Sequence, residues 1–376
     1  MPVPPSIGFW TRTVSLPRVT PEQLLRPEVL ALSAYHVPDS SGYIKLDAME
    51  NPYAWPAEMI DEWLEVLREA KPNRYPDPAA VGLKTALKTA GQVPEEAAIM
   101  LGNGSDELIQ IVLMAVAGRD ATVLAPEPTF VMYRQLALSL GLRFVGVSLS
   151  AEDFSLDMAA MRRAIREHVP AVIFLAYPNN PTGNVFSRQD MLEIIGMAPG
   201  LVVIDEAYAP FTDTSFMASL DQFDRLLVMR TLSKLGLAGL RLGYLAGHMQ
   251  WIAELEKLRL PYNINVLTQL SVEFALTRPQ VFAEQVSRIR RDRAYLYAEL
   301  AAMDGIEIFP SETNFILMRL QRHDATQVFG LLKQQGVLIK NLDPAGGLLR
   351  QCLRVTVGTE EENHRFLAVF SEILNA

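Results

Sequence analysis

Between residues 97 and 246 one pattern recurs, and it narrows the possible folds more than any other feature of the chain. Short apolar runs of strand length alternate with longer amphipathic stretches. The runs are Ala97–Leu101, Thr122–Ala125, Arg143–Val147, Ala171–Tyr177, Leu201–Asp205, Leu226–Arg230 and Gly243–Ala246. The stretches between them include Ser105–Ala117, Pro128–Leu140, Met158–Glu167 and Arg188–Met197. Several runs are apolar on every residue, as strands covered on both faces are. Strands alternating with helices predict an α/β fold, with a mostly parallel, mixed sheet held between helices.

The flanks have a different texture. Residues 1–45 are rich in proline, serine and polar residues, with one short helical stretch near Pro21–Leu32, and suit an arm rather than a core. Helical periodicity runs through Glu58–Ala70 and Ala79–Thr89. Past residue 265 come helices at Thr268–Leu276 and Arg278–Met303, then short segments at Ile306–Phe309, Phe315–Met318, Val337–Ile339 and Cys352–Val357. A closing helix covers Glu360–Leu374. The expected division is an arm over 1–45, a large domain over 46–265, and a smaller α+β domain over 266–376 that takes in part of the N-terminal segment. The chain's 376 residues are ample for that pair of domains.

Composition removes several function classes. A net charge of −9 argues against a chain whose main task is gripping nucleic acid, which shows a basic stripe. It leaves room for an anionic substrate, because a few arginines in a cleft override the global sign. Cys352 is the only cysteine, so no intrachain disulfide is possible and a cytoplasmic location is expected. The opening MPVPPSIGFW lacks the basic and apolar regions of a secretory signal. No apolar run approaches the length of a membrane span. The histidines (His36, His168, His248, His323, His364) are scattered with no ligand pair at helical spacing, so no metal site is expected. No Gly-x-Ser-x-Gly elbow of an esterase is present.

In a doubly wound sheet, ligands sit beyond the carboxyl ends of the strands. Four ends here carry polar residues. After Ala97–Leu101 come Gly102, Asn103, Gly104, Ser105 and Asp106, a glycine turn into a helix start, where free N–H groups and the helix dipole favour an anion. Taken alone this is an ordinary strand–helix turn, since Glu107 stands where a dinucleotide fingerprint has its third glycine. After Ala171–Tyr177 come Pro178, Asn179, Asn180, Pro181, Thr182 and Gly183, a rigid turn that either offers the Asn180 amide to a ligand or is only stiff. Leu201–Ile204 ends in Asp205, with Tyr208 three residues on. A carboxylate closing an apolar strand is costly to bury without a cation, and a protonated heterocyclic nitrogen would serve; the alternative is a cap on the following turn. After Leu226–Arg230 come Thr231, Ser233, Lys234 and Arg241. A lysine there is ordinarily solvated, but apolar surroundings would lower its pKa and make it a nucleophile, and Arg241 offers a fork for phosphate.

Together the four ends supply an aldehyde-reactive amine, a buried carboxylate, a phenol, an amide, a guanidinium and a helix start. That inventory matches the aldehyde, ring nitrogen, 3-hydroxyl and phosphate of pyridoxal 5'-phosphate (PLP). Arg354, in Leu353-Arg354-Val355-Thr356-Val357, shares one strand face with Thr356, and is either a site residue or a surface arginine.

At this point the motifs resemble a known family. Tyr177-Pro178-Asn179-Asn180-Pro181-Thr182-Gly183, Asp205-Glu206-Ala207-Tyr208, and Ser233-Lys234 with Arg241 resemble, in order and spacing, the fold-type I PLP aminotransferases. More narrowly, Asn73-Arg74-Tyr75-Pro76-Asp77, Gly102-Asn103-Gly104-Ser105-Asp106-Glu107, Glu127-Pro128-Thr129-Phe130 and Leu353-Arg354-Val355-Thr356-Val357-Gly358 are similar to the histidinol-phosphate aminotransferases, over roughly residues 30–376.

The resemblance implies that Lys234 carries the cofactor, that Asp205 pairs with its ring nitrogen, and that Asn180 and Tyr208 contact its 3-oxygen. It implies that Gly104, Ser105, the Asp106 backbone, Thr231, Ser233 and Arg241 hold the phosphate and that Phe130 stacks on the ring. Tyr75 would reach the cofactor of a neighbouring subunit, which implies a homodimer with shared sites. Arg354 would bind the acidic group of the substrate, assisted by Lys340 and Tyr35. Phe130 stands where tyrosine is often found, Lys340 where some members have arginine, and Met49 where asparagine is common. The implied reaction is transamination between histidinol phosphate and 2-oxoglutarate, with an aromatic aminotransferase or a threonine-phosphate decarboxylase as the related alternatives. A PLP-sensing regulator would need a DNA-binding domain ahead of residue 45, and that segment is too short and too rich in proline for one.

Overall fold

A computed structural model describes residues 19–34, 38–118 and 120–375 of the chain. Two compact units divide it, Met1–His36 and Val37–Ala376. The described part of the first holds two four-residue helices, α1 (Pro21–Leu24) and α2 (Pro27–Leu30). The single helical stretch expected over Pro21–Leu32 is broken because a proline disfavours the helical conformation of the residue before it. Arg26, preceding Pro27, is extended at φ −64°, ψ 143°.

The second unit opens with β1 (Ile44–Lys45), α3 (Ala57–Arg68), α4 (Val81–Gly91), β2 (Ala97–Asn103), α5 (Gly104–Val116) and β3 (Thr122–Glu127). It continues with α6 (Val131–Ser139), β4 (Arg143–Ser148), α7 (Met158–His168), β5 (Val172–Ala176), α8 (Arg188–Met197), β6 (Leu201–Asp205), β7 (Leu226–Thr231) and β8 (Leu242–His248). Then come α9 (Met249–Leu255), α10 (Val266–Leu276), α11 (Pro279–Ala301), β9 (Ile306–Ile308), β10 (Phe315–Leu320) and α12 (Ala325–Gln334). β11 (Val337–Leu338), β12 (Lys340–Asn341), β13 (Cys352–Thr356) and α13 (Glu360–Leu374) complete it.

The seven-stranded sheet runs β2-β8-β7-β6-β5-β3-β4. Its pairings are parallel except at β8, which is antiparallel to both neighbours. The link 232–241 between β7 and β8 holds only two short 3-10 turns, too little chain for the crossover that a parallel pairing needs. β5 and β6 are buried throughout. Their residues alternate between two cores, Ile173, Leu175, Val202 and Ile204 on one face and Val172, Phe174, Leu201 and Val203 on the other. After β4, at the sheet edge, the chain passes back over β3 to place β5, so β3 and β5 lead away in opposite directions across the sheet. That reversal is a topological switch point, where the loops beyond the strand ends part and leave a crevice.

The second sheet, β12-β13-β10-β9, is antiparallel. It shares a core with α11, α12 and α13 through Ile289, Leu296, Val328, Leu332, Phe366 and Phe370. β1 pairs in parallel with β11, Ile44 opposite Val337, so the chain just before residue 46 is tied into that region. α12 is absent from the sequence-based expectation; its core residues Ala325, Val328 and Leu332 do follow helical spacing.

Candidate active site

The parted loops open into a cleft of about 260 Å³ at the carboxyl ends of the strands. Ser105 and Asp106 from the start of α5, Phe130 after β3, Asn180 after β5 and Asp205 at the end of β6 line it. Tyr208, Thr231, Ser233, Lys234 and Arg241 complete the lining expected from the sequence, and Ala48, Met49 and Glu50 close one wall.

Asp205 ends β6 and is 4% exposed. Its Oδ2 accepts from the Tyr133 hydroxyl at 2.7 Å and its Oδ1 from the Ala207 N–H at 3.1 Å. The turn-capping role is therefore real and coexists with a place in the cleft lining. Burial pushes its pKa up to about 6 against the pull of those two bonds, and the charges of Asp106 and Glu206 push the same way. A cation in the cleft would relieve that cost.

Lys234 sits in a 3-10 turn straight after β7. The turn closes at Gly236 with φ +115°, where a side chain would also come within 2.9 Å of Asn51 Nδ2. The Lys234 ammonium donates to the Ala48 carbonyl at 3.2 Å and lies 6.0 Å from the Tyr208 ring centre. Burial, then the guanidinium of Arg354, brings its pKa down to about 8. Burial likewise raises the pKa of the Tyr208 phenol, so that its O–H stays a donor.

One end of the cleft is built for an anion. Gly104 starts α5 at φ +75°, a left-handed conformation that favours glycine, and a Cβ there would stand 2.8 Å from Arg241 Nη2 and push the guanidinium aside. The first turn of α5 presents N–H groups that have no partner within the helix. Thr231 Oγ1 and Ser233 Oγ lie 2.9 Å apart, and Arg241 reaches Ser233 at 3.5 Å and the Asp106 carboxylate at 3.6 Å. These contacts are long for a guanidinium and leave it room to take a bidentate partner.

Asn180 is held by a stiffened loop. The side chain of Asn179 accepts from Thr129 and donates to the Pro128 carbonyl and to Thr182. Arg354 Nη1 donates to Asn180 Oδ1 at 2.5 Å, which commits the amide oxygen and leaves the Nδ2 hydrogens as the donors. Arg354 is 6% exposed, donates also to the Asp47 carbonyl, and packs over the Phe315 ring, so it is no surface arginine. Lys340 faces it across the β12–β13 pairing, and its pKa is lowered by burial and then by Arg354. Tyr75 lies apart from this cleft, 80% exposed and stacked on Tyr262 at 4.4 Å. Tyr35 falls outside the described residues.

The model of the family "Aminotransferase class I and II" matches residues 41–370. The chain belongs to the class I and II aminotransferases. Among relatives of this aminotransferase, histidinol-phosphate aminotransferase 2 of Nitrosococcus oceani is 59% identical over 92% of this chain and 96% of its own length. Histidinol-phosphate aminotransferase of Chromobacterium violaceum is 51% identical over 93% of this chain and 98% of its own. The crystal structure of histidinol-phosphate aminotransferase from Sinorhizobium meliloti in complex with pyridoxal-5'-phosphate shares the fold. Its TM-score is 0.81 at 21% identity, covering 94% of this chain and 98% of that one.

The donor set of the aminotransferase cleft fits PLP. A lysine amine of lowered pKa suits the aldehyde, a buried carboxylate short of positive charge suits a protonated ring nitrogen, and the Gly104–Asp106 helix start with Ser233 and Arg241 suits the phosphate. Tyr133, whose hydroxyl meets Asp205 behind the cleft, is a residue that the sequence motifs leave out. Its signal is position: it stands three residues after Phe130, on the same side of the helix start.

Proposed function

We propose that this aminotransferase converts histidinol phosphate and 2-oxoglutarate to imidazole-acetol phosphate and glutamate, with PLP as cofactor. The observation that carries the reading is the Lys234 amine, its pKa brought down to about 8, in one cleft with a buried carboxylate and an anion cradle. The names of the relatives described above support the substrate. When bound, PLP supplies an aldehyde that joins the substrate's amino group and a ring that takes up the electron pair left when the α-proton departs.

The chain's own residues do the rest. Lys234 would hold the cofactor, then take the α-proton on its Nζ and return it to the cofactor's aldehyde carbon, on the far side of the amino nitrogen, a transfer suited to an amine whose pKa is near the working pH. Asp205 pairs with the ring nitrogen and keeps it protonated. Asn180 Nδ2 and the Tyr208 hydroxyl donate to the 3-oxygen. Gly104, Ser105 and Asp106 N–H groups, with Thr231, Ser233 and Arg241, hold the phosphate, and Phe130 covers one face of the ring. Arg354 receives the acidic group of the substrate while anchoring Asn180, Lys340 adds a point charge beside it, and Tyr35 assists.

The seven-stranded layer over 46–265 serves as the large, cofactor-binding domain, and 266–376 as the small domain. The exposed Tyr75 supports a homodimer in which it reaches the neighbouring subunit's cofactor. Among the described residues no helix is long and apolar enough to cross a membrane, and the reading includes a cytoplasmic location.

The test is a turnover panel with 2-oxoglutarate as acceptor and histidinol phosphate, phenylalanine, tyrosine or threonine phosphate as donor. Histidinol phosphate is expected to give the highest kcat/KM. Faster turnover of phenylalanine or tyrosine, or release of carbon dioxide from threonine phosphate, would contradict the assignment.

A further inference from the structure

Two aromatic residues flank the entry to α6. Phe130, the residue before the helix, lines the cleft. Tyr133, in the first turn, is fully buried. Its ring stacks on Phe174 of β5, with centres 4.7 Å apart and planes 10° from parallel, and meets Phe130 edge-on at 5.6 Å. Its hydroxyl donates to Asp205 Oδ2 at 2.7 Å across the β5–β6 pair. The phenol is clamped by rings on two sides, so its oxygen is fixed, and so is the carboxylate it meets. The other oxygen of Asp205 has a backbone donor, Ala207.

We propose that Tyr133 is a positioning residue for the reaction, its hydroxyl orienting Asp205 and holding it as the carboxylate that meets the cofactor's ring nitrogen. The inference rests on the reading above, in which Asp205 faces that nitrogen. Burial and the Asp205 charge raise the Tyr133 pKa, so the phenol stays a donor and never competes as an anion. A hydrogen bond to an ionised acceptor is among the stronger ones, and its loss leaves a buried charge with one donor fewer.

The test uses Tyr133→Phe, which keeps the ring stack and removes only the hydroxyl. Full-length protein freed of cofactor is titrated with PLP and, separately, with the 1-deaza analogue, in which a C–H replaces the ring nitrogen. Tyr133→Phe is expected to weaken PLP binding roughly tenfold, the size of one charge-assisted hydrogen bond, and to leave the analogue's affinity within about twofold of wild type. With PLP loaded, kcat falls while KM changes little. In an Asp205→Asn background the same substitution has no further effect on PLP affinity. Equal weakening of both cofactors would reduce Tyr133 to a packing residue, and unchanged affinity for both would overturn the proposal. Failure of the wild-type chain to bind PLP would instead overturn the proposed function.

Discussion

Asp205 and Glu206 are consecutive in the chain, 4% and 1% exposed, and they line different cavities. Glu206 accepts from Arg230 at 2.8 and 2.9 Å, from the Ser215 hydroxyl at 2.9 Å and from the Phe216 N–H at 2.6 Å. Arg230 in turn donates to the Gly91 carbonyl at 3.0 Å, which ties β7 to the end of α4. That cluster answers its own charges. Asp205 has two neutral donors, carboxylates as charged neighbours, and a pKa pushed up to about 6. Two buried acids of similar depth thus differ in completeness. The self-satisfied one fastens the scaffold, and the other suits a cationic partner, as the proposed function requires; a buried, uncompensated charge in a cleft is where function is to be sought.

Four substitutions separate the two regions, in order of falling effect. Lys234→Ala, on the cleft side, should lower kcat by roughly 10³-fold or more, since under the proposed function it removes both the anchoring amine and the base, and should leave the thermal midpoint near wild type. Steady-state kinetics beside a melting curve would show whether the loss is chemical. Glu206→Ala, on the scaffold side, should cost about 3–5 kcal/mol in urea unfolding, because it strands the Arg230 charge. A small cost there would undo the contrast.

Asp205→Asn should act in the opposite sense on the cofactor-free protein. A raised carboxyl pKa means that the folded state is penalised wherever the unfolded chain is ionised and the fold resists ionisation. The penalty is complete above about pH 6 and fades as the pH falls toward the ordinary carboxyl value of 3.8. Asparagine should therefore stabilise the cofactor-free chain by about 2–3 kcal/mol at pH 8 and by little near pH 4, while transamination collapses. Unfolding curves at the two pH values check the sign. Ser215→Ala should cost about 1 kcal/mol of stability and leave PLP affinity unchanged, which equilibrium unfolding and a cofactor titration would verify together.

The residues whose chemistry the sequence exposes are those at strand ends. Lys234, Asp205, Asn180 and Arg241 stand out because a polar group closing an apolar run has to be explained, and the structure brings them to one cleft. Strand direction is a different matter. The run Gly243–Ala246 looks like its neighbours because hydrophobicity carries no polarity along the chain; only the short link after Thr231 hints that β8 turns back. Tyr133 is hidden because a tyrosine inside a helix looks like core, and half of it is. Glu206 is hidden because its partner Arg230 lies 24 residues on, and no spacing rule joins an acid after one strand to an arginine near the end of the next. Arg354 shows its face through alternation with Leu353 and Val355, but its grip on Asn180, 174 residues away, belongs to tertiary structure alone. α12 escapes because its first core position is an alanine, too small to mark a periodic stripe.

The central claim, that Lys234 captures PLP beside an unanswered Asp205, is tested most directly by a labelling experiment. Purified chain is titrated with PLP, reduced with borohydride and digested, and the modified peptide is sequenced. The expected result is a visible absorbance band, from the imine of the lysine with the aldehyde, that reduction abolishes, with one pyridoxyl group on the peptide that contains Lys234. No band, or a pyridoxyl group on any other lysine while Lys234 stays unmodified, would contradict it.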